Sequence, residues 1–151
     1  MKKIILASAA GLLFMLAVSC KSKTYYTYEN TVGIPPAEFA MMDTVNYTSI
    51  EMENTDIDFG TINRGDSVTL EFKFKNTGDN TLFFSLVYPS CGCTVPKSST
   101  PPTKPGEAGV LTAVYHSRED KGAVHKSIKV HTNTANGIER ILTFHGNVNT
   151  P

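Results

Sequence analysis

Val68-Thr-Leu-Glu-Phe-Lys-Phe-Lys75 is the stretch that decides the fold. Val68, Leu70, Phe72 and Phe74 alternate with Thr69, Glu71, Lys73 and Lys75. Successive side chains of a strand point to opposite faces, so this period of two makes one dry face and one wet face. Asn76-Thr-Gly78-Asp-Asn80 then stops the strand with turn chemistry.

The same pattern continues in both directions. Thr81 to Tyr88 reads as a second strand, rich in Phe and Leu. Leu111, Ala113 and Tyr115 alternate with Thr112 and Val114. Val124, Ile128 and Val130 alternate with His125, Ser127, Lys129 and His131; Leu142, Phe144 and Val148 follow with Thr143 and His145 between them. Upstream, Asp56 to Ile62 supplies a shorter opening strand, and Thr44 to Met52 is a candidate for an earlier one. Arg64-Gly-Asp66, Pro101-Pro102, Pro105-Gly106, Gly122 and Asn136-Gly137 punctuate the runs. Asn136-Gly137 reads as a type I′ hairpin, in which both central residues take positive φ. Strands at this spacing predict an all-β domain over 50–151, an immunoglobulin-like antiparallel sandwich of two sheets. A small open barrel is the alternative, and the absence of Trp and of a long-spaced cysteine pair separates the chain from antibody-type domains.

The chain opens MKKIILASAAGLLFMLAVSC. Lys2 and Lys3 form a positive start, and Ile4 to Val18 is an uncharged run too short to span a bilayer comfortably. Leu16-Ala-Val-Ser19 before Cys20 has the look of a lipobox, with its leucine one position early. Residues 1–19 are therefore expected to be a lipoprotein signal peptide and Cys20 the lipidated residue; a secretory signal cut elsewhere is the alternative. Several acyl chains on one cysteine hold a protein on a membrane. Residues 20–49 carry no sustained period, are broken by Gly33, Pro35 and Pro36, and read as a tether.

Composition narrows the function. The 151 residues hold 14 Lys+Arg against 14 Asp+Glu, and removing residues 1–19 takes away two lysines, leaving 12 against 14. No basic excess exists to neutralise a phosphate backbone, so no nucleic-acid partner is expected. Three cysteines is an odd count, and lipid on Cys20 leaves two.

Phe59-Gly-Thr-Ile62, Gly65, Phe72-Lys-Phe-Lys-Asn-Thr-Gly78, Ser90-Cys-Gly-Cys-Thr94, Pro105-Gly106, Thr132-Asn133 and Leu142-Thr-Phe-His-Gly-Asn-Val148 together carry a resemblance. They are similar to the domain-of-unknown-function family 1573, frequent in Bacteroidetes lipoproteins, over roughly residues 53–148. The SCGCT element is its most specific piece. The resemblance implies an immunoglobulin-like fold of the kind used in binding and scaffold modules, and no established activity. In that phylum surface-exported lipoproteins tend to carry acid just after the lipidated cysteine. Lys21-Ser22-Lys23 has none, which favours a periplasm-facing leaflet, that of the outer membrane more than the inner.

Cys91-Gly92-Cys93, between Pro89 and Pro96, is the constellation with the clearest chemical potential. Proline restricts the backbone on both sides, and glycine permits the bend that brings residues i and i+2 together. Three states compete: a disulfide, a thiolate pair for a soft ion such as Cu(I), and free thiols. His116, His125, His131 and His145 lack the spacing that marks zinc, and at least the last three fall on wet strand faces. Asp56 and Asp58, like Glu51 and Glu53, read as exposed charges at a sheet edge. Arg64-Gly-Asp66 reads as a turn. Phosphate loops, nucleophile elbows and HExxH are absent from the sequence. The expectation is a non-enzymatic, membrane-anchored binding or scaffold module without a cofactor, facing a protein partner in the cell envelope. Thiol-based metal handling or disulfide exchange through Cys91 and Cys93 is the alternative.

Overall fold

A computed structural model describes residues 36–97 and 101–150. The expected signal peptide 1–19, Cys20 and the first half of the expected tether lie outside the described residues.

Eight strands account for most of the described chain: β1 Ile50–Met52, β2 Asp56–Asn63, β3 Ser67–Asn76, β4 Phe84–Pro89, β5 Thr94–Pro96, β6 Ala108–His116, β7 Gly122–Thr132 and β8 Glu139–Asn149. They form two four-stranded sheets. The first has the order β1-β3-β6-β5 and the second β2-β8-β7-β4. The alternation read from the sequence is the alternation of burial. Leu70, Phe72, Phe74 and Asn76 of β3 are buried, and Thr69, Glu71, Lys73 and Lys75 between them are exposed. Leu111, Ala113 and Tyr115 from β6 join them in one core with Val124, Ile128 and Val130 of β7 and Leu142, Phe144 and Val148 of β8. Phe59, Tyr115 and Phe144 meet as tilted rings with centroids 5.3–6.3 Å apart, the offset geometry aromatic pairs prefer.

The sandwich differs from an antiparallel one at β2, which pairs with β8 in parallel. Period two reports which face of a strand is buried, and carries nothing about the direction of its neighbour. A register shift between Asp58 and Thr61 interrupts that ladder, where Gly60 takes φ 71°.

The expected tether also ends earlier than residue 49. Pro36–Met42 is a short helix, α1, and Thr44–Asn46 a 3₁₀ turn whose first free N–H, that of Val45, is taken by the Asp43 carboxylate at 3.0 Å. Thr48 then forms a bridge to Thr134, and Ala40 and Thr48 are buried. Two fully buried side chains, Asn76 and Asn133, hold this strap and its neighbours. Asn133 donates to Asn46 O at 2.8 Å and to Thr81 O at 2.9 Å, and accepts from Phe83 N at 2.7 Å. Asn76 accepts from the Thr48 hydroxyl at 2.7 Å and donates to Asn80 O and Thr103 O. A Cβ on Gly78 would overlap the Thr48 hydroxyl and the Ser49 amide, so the strap lies against a residue that has to be small. Amides hold this segment, not an apolar face, which is why no period appears in its sequence.

The β7–β8 connection is longer than a two-residue turn. Thr132 N–H donates to Ile138 O at 2.8 Å, enclosing Asn133 to Gly137, and only Gly137 of the Asn-Gly pair has positive φ. Asn133 and Thr134 are occupied by the strap and are not free to continue the ladder.

Candidate functional site

The chain leaves the second sheet at Pro89 and enters the first at Thr94, so Cys91-Gly-Cys93 is the corner where it changes sheets. Pro89 and Pro96 close the edge strands β4 and β5, positions where a missing N–H costs the sheet least. Cys91 and Cys93 are joined in a disulfide with Cα atoms 5.2 Å apart. The corner is tied on both sides: Ser90 N–H donates to Ser127 O at 2.8 Å, and His116 N–H to Cys93 O at 2.8 Å. Gly92 is exposed, but both cysteines are half-buried and Cys93 packs against the core. The corner is therefore less open than a surface loop.

Replacing both cysteines with Ser is expected to lower the unfolding free energy by about 1–2 kcal/mol. So small a ring removes about 1.6 kcal/mol of chain freedom from the unfolded state in the entropic account. Thermal melts of wild type and double variant check this. A loss equal to that of a large core truncation would make the disulfide a principal staple.

The histidines fall in three places: His125 with His145, His131 beside Glu139, and His116 beside Ser67. His125 and His145 face each other across β7 and β8 with ring centroids 6.3 Å apart and planes 21° from parallel. The Asp56 carboxylate lies 3.2 Å from His145 Nδ1. The Thr143 hydroxyl and that imidazole hold the Asp56 carboxyl below the usual carboxylate range. Glu139 sits between Lys129 at 3.1 Å and His131 at 3.2 Å, and the lysine, then the histidine, lower its pKa. His116 Nδ1 lies 2.7 Å from the Ser67 hydroxyl. Among the described residues no group of three or more His, Cys, Asp or Glu is placed to hold a metal ion. Asp56 and Asp58 lie on the edge strand β2, and Glu51 on the edge strand β1. Arg64-Gly-Asp66 is spent on structure: Asp66 accepts from Asn63 N at 2.9 Å, and Arg64 reaches Arg118 O and the Glu119 carboxylate.

Two features escaped the sequence reading. Tyr115 is fully buried, and its hydroxyl donates to Asp120 at 2.7 Å while Lys126 holds the other oxygen at 3.1 Å. Burial works against the Asp120 charge, and those two hydrogen bonds outweigh it, leaving the carboxyl below its usual range. The second feature is an apolar stripe on the outer face of the second sheet. Leu86, Tyr88 and Ile141 are 43%, 64% and 58% exposed. Tyr88 and Ile141 flank Lys129 from opposite sides, and Leu86 is two residues from Tyr88 on the same strand. Their alternation with Val87 and Leu142 was the legible signal, but Thr81 to Tyr88 is apolar on both faces and hid which face was wet.

The family described as Protein of unknown function (DUF1573) matches residues 50–148. No curated protein matches the chain. Two of the solved structures that share the fold illustrate it. A protein of unknown function from Porphyromonas gingivalis W83 is 17% identical over 70% of this chain, with a TM-score of 0.59; this chain spans 49% of its length. The seventh PapD-like (ASH) domain of human CEP192 is 11% identical over 85% of this chain and 96% of its own length, with a TM-score of 0.54. At these identities the likeness is one of architecture.

Proposed function

The chain belongs to the DUF1573 family of proteins of unknown function, and from that premise we propose that it is a binding or scaffold module of a bacterial cell envelope. It is held on a membrane by lipid at Cys20, faces the periplasm from the outer membrane, and engages a protein partner without catalysing a reaction. The observation that carries the reading is the stripe of Leu86, Tyr88 and Ile141 on the outer face of the second sheet. Single exposed apolar residues are ordinary, but Leu86 and Tyr88 on β4 and Ile141 on β8 share one outer face across β7 and make a surface of the kind partners cover. Lys129 stands between Tyr88 and Ile141, and His131 between Leu86 and Glu139, so charged and apolar side chains are interleaved on this face. No described helix is long and apolar enough to cross a membrane, and the Cys20 lipid supplies the attachment.

The test uses the full chain in cells. Wild type is expected to take up labelled palmitate, sediment with membranes and crosslink to one defined partner. Cys20→Ala is expected to lose label and membrane together. Leu86→Ser, Tyr88→Ser and Ile141→Ser combined are expected to keep both and to lose the crosslink at least tenfold, with an unchanged circular dichroism spectrum. Equal palmitate uptake by wild type and Cys20→Ala defeats the anchoring. A crosslink indifferent to the triple substitution defeats the stripe as the binding surface.

A further inference from the structure

The register of β7 and β8 places His125 directly opposite His145. The hydrogen-bond alternation of that ladder fixes what kind of pair this is. Ser127 N–H turns away from β8 to the Ser90 hydroxyl, and Thr143 N–H turns away from β7 to Thr55 O. Ser127 and Thr143 are register partners, so theirs is a pair without mutual N–H···O bonds. His125 and His145, two residues along, share that parity. Such pairs bring their Cα atoms within about 4.5 Å and their side chains closer than hydrogen-bonded pairs do.

Both imidazoles stand on the outer face, in near-parallel planes. Asp56 takes up Nδ1 of His145, which leaves Nε2 of that ring as its free nitrogen. A carboxylate on one imidazole nitrogen fixes the tautomer and makes the other nitrogen a better electron-pair donor. Asp58, register partner of His145 on the far side, has one carboxylate oxygen occupied by Gly60 N at 2.8 Å. The row Asp58–His145–His125 therefore runs across three strands with two imidazoles and flanking carboxylates.

We propose that His125 and His145 form a two-imidazole site for a divalent transition metal of the nitrogen-preferring class, with Asp56 as the positioning residue that aims His145. Imidazole suits copper, nickel and zinc over magnesium and calcium. Two protein ligands leave the rest of the coordination sphere to water, so the bound ion stays exchangeable. It makes no use of the apolar stripe and stands apart from the binding-module reading.

The experiment is calorimetric titration of the untagged full chain with Cu²⁺, Zn²⁺ and Mg²⁺ in turn. One Cu²⁺ per chain is expected, held more tightly than Zn²⁺, with no response to Mg²⁺. His125→Ala and His145→Ala each weaken Cu²⁺ binding at least tenfold, and His131→Ala leaves it unchanged. Asp56→Asn weakens it about tenfold, as loss of an outer-shell carboxylate does, without moving the melting temperature of the ion-free protein. Cu²⁺ binding that survives His125→Ala, or that appears only at millimolar concentration, overturns the site. Asp56→Asn binding like wild type overturns the positioning role.

Discussion

Phe72→Ala is expected to lower the unfolding free energy by about 3–5 kcal/mol, and Lys73→Ala by less than ~0.5 kcal/mol. The two residues are neighbours on β3, yet Phe72 is fully buried and Lys73 exposed. Phe72 lies opposite Leu111 on the inner face of the first sheet, so truncating it opens a cavity in the core between the two sheets. A loss of that size is a large fraction of the ~5–15 kcal/mol that keeps a domain folded. Urea unfolding followed by circular dichroism reads both variants. Similar midpoints for the two would mean that the faces of β3 have been assigned wrongly.

Asn133→Ala is expected to cost as much, about 3–5 kcal/mol, although it removes no apolar surface of note. Three half-buried backbone groups, Asn46 O, Thr81 O and Phe83 N, lose their fully buried partner at once. Each unpaired group costs about 1–3 kcal/mol when water cannot replace what was lost. Asn133→Asp separates the contributions, because a carboxylate still accepts from Phe83 N but cannot donate to the two carbonyls. Limited proteolysis gives a second readout: cleavage within residues 36–49 should accelerate in both variants before the sandwich itself opens. An Asn133→Ala variant with wild-type midpoint and wild-type proteolysis would show that the strap is held by something else.

The four longest strands were legible in the sequence, β3, β6, β7 and β8, because each buries one face on a common core and so carries a strict period of two. β5 was not, since Thr94-Val-Pro96 is three residues long and has no room for a period. In the sequence Asn76 reads as turn chemistry, and Asn133 is a piece of the family resemblance with no structural role attached. The residue type is the same in both uses; what differs is whether its amide serves its own turn or bonds to distant backbone. The corner cysteines were legible as a pair, and the strands on either side of them explain the paired prolines. The meeting of His125 and His145 was hidden for a further reason. A two-residue turn at Asn136-Gly137 would pair Ala135 with Ile138 and carry His125 opposite Val148. The five-residue connection shifts the register and sets the histidines face to face. Strand faces follow from local pattern, whereas strand neighbours depend on loop lengths that distant contacts decide.

The parallel pairing of β2 with β8 bears on how the domain carries load. Asp56 begins β2 beside Thr143, and Asn63 ends it beside Asn149, with Arg64 N–H adding a bond to Asn149 O at 2.9 Å. Tension that enters through the N-terminal side of β2 and leaves through the C-terminal end of β8 pulls these two strands along their lengths in opposite directions. That is shear: the rungs between Asp56 and Asn149 are strained together and none can open ahead of the rest. An antiparallel pair joined to the same two ends would instead be peeled, one rung at a time. The pairing direction thus makes the resistance of this part of the fold depend on the axis of the load, greatest along β2 and β8 themselves.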